Sequence, residues 1–253
     1  MQEPDNLSKD ICSNCGAKLE KDVRFCNYCG FSQVLGNDTR INSLKILTRM
    51  LLFFGALTIT SLIGNFSNST GIDFLLVIDV LFIMIVTIGV GIYWTEVKPL
   101  LKWKGFRFSK AILFCLLSIV FAIVVNLIVT WINKSMFGVE SYYYYAFEHL
   151  KYAKLVTILF IAVQPAIFEE LAFRGIIQSN LNQIIDSQQA IYLTAFLFAI
   201  IHMSFISLFW LLPFAILLSY VRNRENTIWY GILMHFFFNA TACFLEFFKL
   251  EIL

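Results

Sequence analysis

The chain has 253 residues, of which 59% are hydrophobic and 17% aromatic, while only 14% are charged. A soluble domain carries about a quarter charged residues, so a soluble globular enzyme is excluded and an all-α polytopic membrane protein is expected. The formal net charge of +2 points to no acidic partner, and the placement of the basic residues says more than their sum.

The opening stretch, MQEPDNLSKDICSNCG, is polar and has no apolar core of the kind a secretory signal needs. Everything before Ile46 therefore reads as a soluble head. Within it Cys12, Cys15, Cys26 and Cys29 form two CxxC pairs. Each pair offers two thiolates from a tight knuckle, and two knuckles supply the four sulfurs of a closed tetrahedral zinc site. Gly16 and Gly30 each follow the second cysteine of a pair, where glycine suits the unusual backbone angles of such a turn. A pair of disulfides is the alternative, and a cytoplasmic location argues against it. With all four positions filled by cysteine, the zinc is expected to be structural, holding a small fold together. Residues 1–32 read as a zinc ribbon and 33–45 as a linker. The mixed charges of the head (Asp10, Lys18, Glu20, Lys21, Asp22, Arg24) disfavour nucleic acid, so the head would either grip a cytoplasmic protein partner or merely anchor the N-terminus.

Seven apolar runs follow, near 46–64, 72–94, 110–132, 155–176, 189–204, 206–221 and 227–247. A span needs about 20 residues, so the fifth and sixth are short; they share the tight connection HMSFIS. The first three runs make an N-terminal transmembrane unit over 46–132, and the last four a membrane core over 155–247. Lysine and arginine crowd the segment before the first run and the loop after the second (Lys98, Lys102, Lys104, Arg107, Lys110), whereas the first loop, NFSNSTGID, has none. The positive-inside rule then places the N-terminus in the cytoplasm, with Arg222 and Arg224 of the loop RNREN on the same side. Tyr142 to Tyr145 read as an interfacial aromatic belt. Cys115 and Cys243, alone in apolar runs, read as small packing residues.

The stretch AIFEELAFRGII, residues 166–177, sets two glutamates and an arginine in an apolar run. Each charge at mid-bilayer costs roughly 2.5–3.5 kcal/mol on insertion scales, so each needs a partner or a use. Glu170 and Arg174 are four apart, share a helical face and can pair. Glu169 is turned about 100° away and is left over. Two histidines also fall in apolar runs: His202, and His235 with Asn239 one turn beyond it. His149, in a polar loop, reads as a surface residue. A turn near Asp186–Ser187 would put Glu169 and His202 at similar heights on an antiparallel helix pair. Nothing in the sequence brings His235 and Asn239 to the same place. Asp79 and Asn126 are isolated and read as hydrogen-bonding residues between helices. A satisfied packing histidine and a structural Glu–Arg clamp would account for single members of the set. Four such groups at membrane depth point to an active site.

Glu169-Glu170-x3-Arg174, Phe198-x3-His202 and His235-x3-Asn239 resemble the three motifs of the CPBP intramembrane proteases, a family that includes CAAX prenyl endopeptidases and bacterial relatives linked to bacteriocin processing and self-immunity. The three occur in order over roughly residues 155 to 245. The resemblance implies an all-helical fold with a water-accessible cavity, and the joining of a zinc ribbon to it points to a bacterial cell-membrane location. By motif position Glu169 would activate water, helped by His202; His235 and Asn239 would hold the oxyanion; Glu170 and Arg174 would shape the site. The partners implied are the lipid bilayer around the helices and, as substrate, a peptide or a membrane-protein segment. No HExxH occurs, and the resemblance leans to a glutamate mechanism without catalytic metal. A zinc-dependent version using Glu169, His202 and His235, and a non-proteolytic immunity or scaffold protein of the same fold, are the competing readings.

Overall fold

In the computed structural model of the chain, the described residues are 11–12, 15–19, 28, 37–67, 71–103, 105–137 and 143–252. They form an all-helical membrane protein: α1 (Asn37–Phe66), α2 (Ile72–Ile92), the short α3 (Trp94–Val97), α4 (Phe108–Ile132), α5 (Ala153–Ile184), α6 (Ser187–Ile200), α7 (Leu208–Glu225) and α8 (Trp229–Ile252). The seven apolar runs correspond to α1, α2, α4, α5, α6, α7 and α8. Five of these, α1, α2, α4, α5 and α8, contain stretches long and apolar enough to cross a membrane. The helix α6 is shorter, and α7 ends in Arg222, Arg224 and Glu225. The first helix begins at Asn37, inside the segment expected to be linker.

Local chemistry sets the breaks. Asp186 caps α6, its carboxylate accepting from the backbone N–H groups of Gln188 at 2.9 Å and Gln189 at 3.0 Å, which fills two of the donors a helix start leaves open. The expected turn between α5 and α6 is thus where the sequence placed it. Asn226 ends α7 in the left-handed region, a conformation asparagine tolerates. After α6 the chain makes the tight HMSFIS connection, with Met203 also at positive φ.

α5 is not a uniform helix. It passes through π-helical segments at Leu159–Val163 and Leu171–Ile177, which flank the short α-helical stretch Gln164–Glu170. Pro165 supplies one cause. It has no N–H to give the carbonyl four residues back, that of Ile161. That carbonyl instead accepts from Asn239 Nδ2 on α8 at 2.8 Å. In the second π segment the carbonyl of Arg174 accepts from Arg222 Nε on α7 at 3.0 Å. Side chains of neighbouring helices thus satisfy backbone groups that have no water to turn to.

Two apolar clusters flank the centre. One joins Phe53 and Leu57 of α1, Val86 of α2, Phe173 and Ile176 of α5 and Phe198 of α6. The other joins Ala122 of α4, Phe214 and Leu218 of α7 and Met234 and Phe238 of α8. The segment after α2 docks on the start of α8: the Leu100 carbonyl accepts from Thr227 Oγ1 at 3.1 Å and Ile228 N at 3.3 Å, and the Leu101 carbonyl from Trp229 Nε1 at 2.9 Å.

In the head, Ile11 and Lys18 form an isolated antiparallel bridge, and the turn between them is closed by Gly16 N–H donating to the Cys12 carbonyl at 2.9 Å. Gly16 has φ +72°, the left-handed conformation expected of a knuckle glycine. Cys12 is buried and Cys15 exposed. Cys26, Cys29 and Gly30 lie outside the described residues.

Candidate active site

The midpoint of α5 carries the charged stretch, and burial there is nearly complete. Glu170 and Arg174 have no exposed surface. As the spacing predicts, they pair, Arg174 Nη1 donating to Glu170 Oε1 at 2.8 Å. Arg174 Nη2 donates to the Ala215 carbonyl of α7 at 3.1 Å, and the guanidinium lies 4.5 Å from the centre of the Phe198 ring. A carboxylate, a carbonyl and an aromatic face thus offset the buried cation, while among the described residues its Nε has no hydrogen-bond partner.

α8 brings His235 against both glutamates. Its Nδ1 lies 3.1 Å from Glu170 Oε1 and its Nε2 3.8 Å from Glu169 Oε2. Because a carboxylate accepts, the Nδ1–H donates to Glu170, which fixes the ring and turns Nε2 towards Glu169. Phe198 and Phe214 hold the imidazole edge-on, with ring centroids at 5.8 and 6.1 Å. Glu169 is only partly buried. Among the described residues its Oε2 has no hydrogen-bond partner.

His202 sits two residues past the end of α6. Its Nδ1 donates to the Phe198 carbonyl at 2.8 Å, a group that can only accept. Ser61 of α1 donates from Oγ to the neighbouring Ile201 carbonyl at 2.6 Å and so ties this turn to the N-terminal spans.

Glu169, His202, His235 and Asn239 line one cavity of about 620 Å³, within the range of ligand pockets. The structure therefore brings together all four, including the pair from α8 that the sequence left unplaced. Glu170 and Arg174 stand immediately behind the wall. Among the described residues no three His, Cys, Asp or Glu side chains form a group that could hold a metal ion. His149 is exposed and apart, as expected.

Several residues escaped the sequence reading. Asn126, expected to bond between helices, lines the cavity. Tyr143, expected in an interfacial belt, lines it too, and Tyr144 N–H donates to Glu246 Oε1 at 2.6 Å. Arg222, read as a loop charge, is buried in α7, with Nη2 at 2.5 Å from Ser179 Oγ. Gly231 precedes His235 by one turn, and a Cβ there would lie 2.6 Å from Glu170 Oε2. Only hydrogen lets the carboxylate sit where it does. A small residue four before a motif histidine was the available signal.

Comparison with known proteins bears on this same region. Residues 151–241 match the family model described as Type II CAAX prenyl endopeptidase Rce1-like. The matched segment holds all six motif residues, from Glu169 to Asn239. Residues 11–33 match a zinc-ribbon domain, and that likeness supports structural zinc in the head. No curated protein and no solved structure matches the chain. The Rce1-like likeness covers α5 to most of α8 and leaves α1, α2 and α4 outside it.

Proposed function

We propose that the protein is an intramembrane endopeptidase in which Glu169 activates water. The observation that carries this reading is the pair of adjacent glutamates on α5 facing one histidine, at the wall of a cavity that also holds His202 and Asn239. Peptide hydrolysis needs a base for a water proton and donors for the developing oxyanion. Glu169 lines the cavity, and its carboxylate can take the proton as water attacks the scissile carbonyl carbon. His202, whose Nδ1–H is given to Phe198, keeps Nε2 as an acceptor to orient that water. Asn239 uses one N–H on Ile161 and has a second for the oxyanion. His235 has given its Nδ1–H to Glu170, so donation from Nε2 requires a second proton on the ring. The tetrahedral intermediate then collapses, the C–N bond breaks, and the proton held by Glu169 passes to the leaving amine.

No step requires a metal, and we propose that zinc is confined to the four cysteines of the ribbon, where it would hold the head together and leave the reaction to α5, α6 and α8. The substrate is a peptide or membrane-protein segment, and the ribbon docks a protein on the cytoplasmic side. The N-terminus lies in the cytoplasm by its lysine and arginine excess.

The test compares new protein N-termini and released peptides in cells expressing wild type or Glu169→Ala at matched levels. Cleavages present only with wild type are expected. Identical peptide profiles, with the variant folded and still supporting the cellular phenotype, would replace the protease with a scaffold of the same fold.

A further inference from the structure

The cavity extends from the catalytic group towards one end of the bundle. On α5 its lining runs from Glu169 back to Phe160, and on α7 from Phe214 back to Trp210, towards the starts of those helices. On α4 it runs from Ala122 on to Asn133, and on α8 from His235 on to Ala242, towards their ends. Contacts fix the directions. Phe114–Tyr230 and Phe121–Phe238 advance together, so α4 and α8 are parallel. Arg174–Ala215 and Gln178–Ser219 make α5 and α7 parallel, while Glu170–His235 and Ile161–Asn239 set α5 against α8. All four linings therefore lead the same way.

Towards the other end the bundle is sealed. Phe121 stacks on Phe214 at 5.8 Å and bridges α4 to α7. Beyond it Tyr230 stacks on Phe106 at 4.8 Å, and its hydroxyl accepts from the Arg107 N–H at 2.7 Å. Lys110 then pairs with Glu225 at 2.7 Å across α4 and α7. On α5 every residue from Ala172 to Leu181 is buried. The sealed end is also the more basic one. It carries Arg107 and Lys110 before and within the first turn of α4, Arg222 and Arg224 in the last turn of α7, and Lys45 and Arg49 in the first half of α1. The open end has fewer cations, Lys134, Lys151, Lys154 and Lys249. By the positive-inside rule the sealed end faces the cytoplasm.

We propose that the active site opens on the non-cytoplasmic face and takes its substrate there, as an extended stretch of polypeptide. The inference rests on the protease reading above and adds a substrate class to it. Glu169 follows Phe160 by nine residues, roughly 14 Å of helix, a depth that an extended chain reaches and a folded domain does not. Asn126 and Asn133 line the way in, with amides suited to a peptide backbone that cannot bond to lipid. The ribbon precedes the start of α1, at the sealed end, so its partner and the substrate reach the protein from opposite faces.

The experiment places single cysteines in the full chain, Asn133→Cys at the open end and Arg224→Cys at the sealed end, and treats intact cells with a membrane-impermeant maleimide. Arg224 is exposed and reports on the cytoplasmic face. Labelling above the wild-type background is expected at Asn133→Cys in intact cells, and at Arg224→Cys only after permeabilisation. Labelled Asn133→Cys should lose the cleavages that depend on Glu169, compared with the same variant unlabelled, while wild type treated with the reagent keeps them. Independently of either variant, sites cut by wild type and not by Glu169→Ala should lie in non-cytoplasmic segments of their parent proteins. Labelling of Asn133→Cys only after permeabilisation, undiminished cleavage once it is labelled, or cut sites in cytoplasmic segments would each overturn the inference and leave the protease reading intact. Wild-type and Glu169→Ala profiles that do not differ would overturn the protease reading and the substrate class with it.

Discussion

At the scale of single residues, the site is decided by what is missing as much as by what is charged. Gly231 has no side chain, and the Glu170 carboxylate occupies the space that one would fill. Gly231→Ala should push Glu170 off His235 and Arg174 together, costing about 1–3 kcal/mol as overpacking and lowering cleavage at unchanged protein level. Thermal unfolding of the purified variant and its product yield against wild type check this. The Arg174 guanidinium is held more tightly still. Its removal as Arg174→Ala would leave Glu170 buried without its cation, which costs about 3–5 kcal/mol, and unfolding in detergent should register the loss. The Glu170–Arg174 pair was legible in the sequence because four residues make one helical turn. The His235 contacts were not, because nothing local in FFFN fixes which neighbour α8 packs against. Glu169 and His202 fell between these cases: counting outward from the turn gave their shared height, while the His202 ring orientation depends on a tight connection that helical periodicity does not describe.

At the scale of elements, α5 explains why Asn239 lies where it does. Pro165 withholds an N–H from the Ile161 carbonyl, and Asn239 supplies one from another helix. Asn239→Ala should therefore cost about 1–3 kcal/mol for a buried unsatisfied carbonyl, apart from any effect on chemistry. Pro165→Ala restores a backbone donor, so the double variant should be less destabilised than the sum of the two singles. A double-mutant cycle on unfolding free energy checks this, and a coupling of about 1 kcal/mol is expected for groups in direct partnership. Additive effects would mean that Asn239 does not substitute for the missing donor. The existence of all seven apolar helices was legible from hydropathy, and the α6 start from Asp186. The π segments were not, since a one-residue change in hydrogen-bond register leaves hydrophobicity almost untouched. Nor was the role of Arg222: its position after an apolar run read as a loop, whereas α7 continues to Glu225 and buries the guanidinium against the Arg174 carbonyl.

For the whole molecule, the length of α5 matters. Its 32 residues extend roughly 48 Å at helical rise, against a hydrocarbon core of about 30 Å, with the two glutamates at its middle. The group proposed to react thus sits near the middle of the longest span, and on that reading the cavity would be its connection to solvent and substrate. On the proposed mechanism the zinc ribbon takes no part in this chemistry. Purified protein should contain one zinc per chain, measured by elemental analysis, and deletion of residues 1–45 should remove all of it; a second, retained equivalent would put metal in the membrane site. The segment with the protease likeness is not self-sufficient either. Ser61 of α1 holds the carbonyl beside His202, and the Leu100 and Leu101 carbonyls hold the start of α8. The motif-bearing stretch is consequently no portable cassette. Transplanted alone, it would carry every motif letter and lose the clamps that spell them into a site.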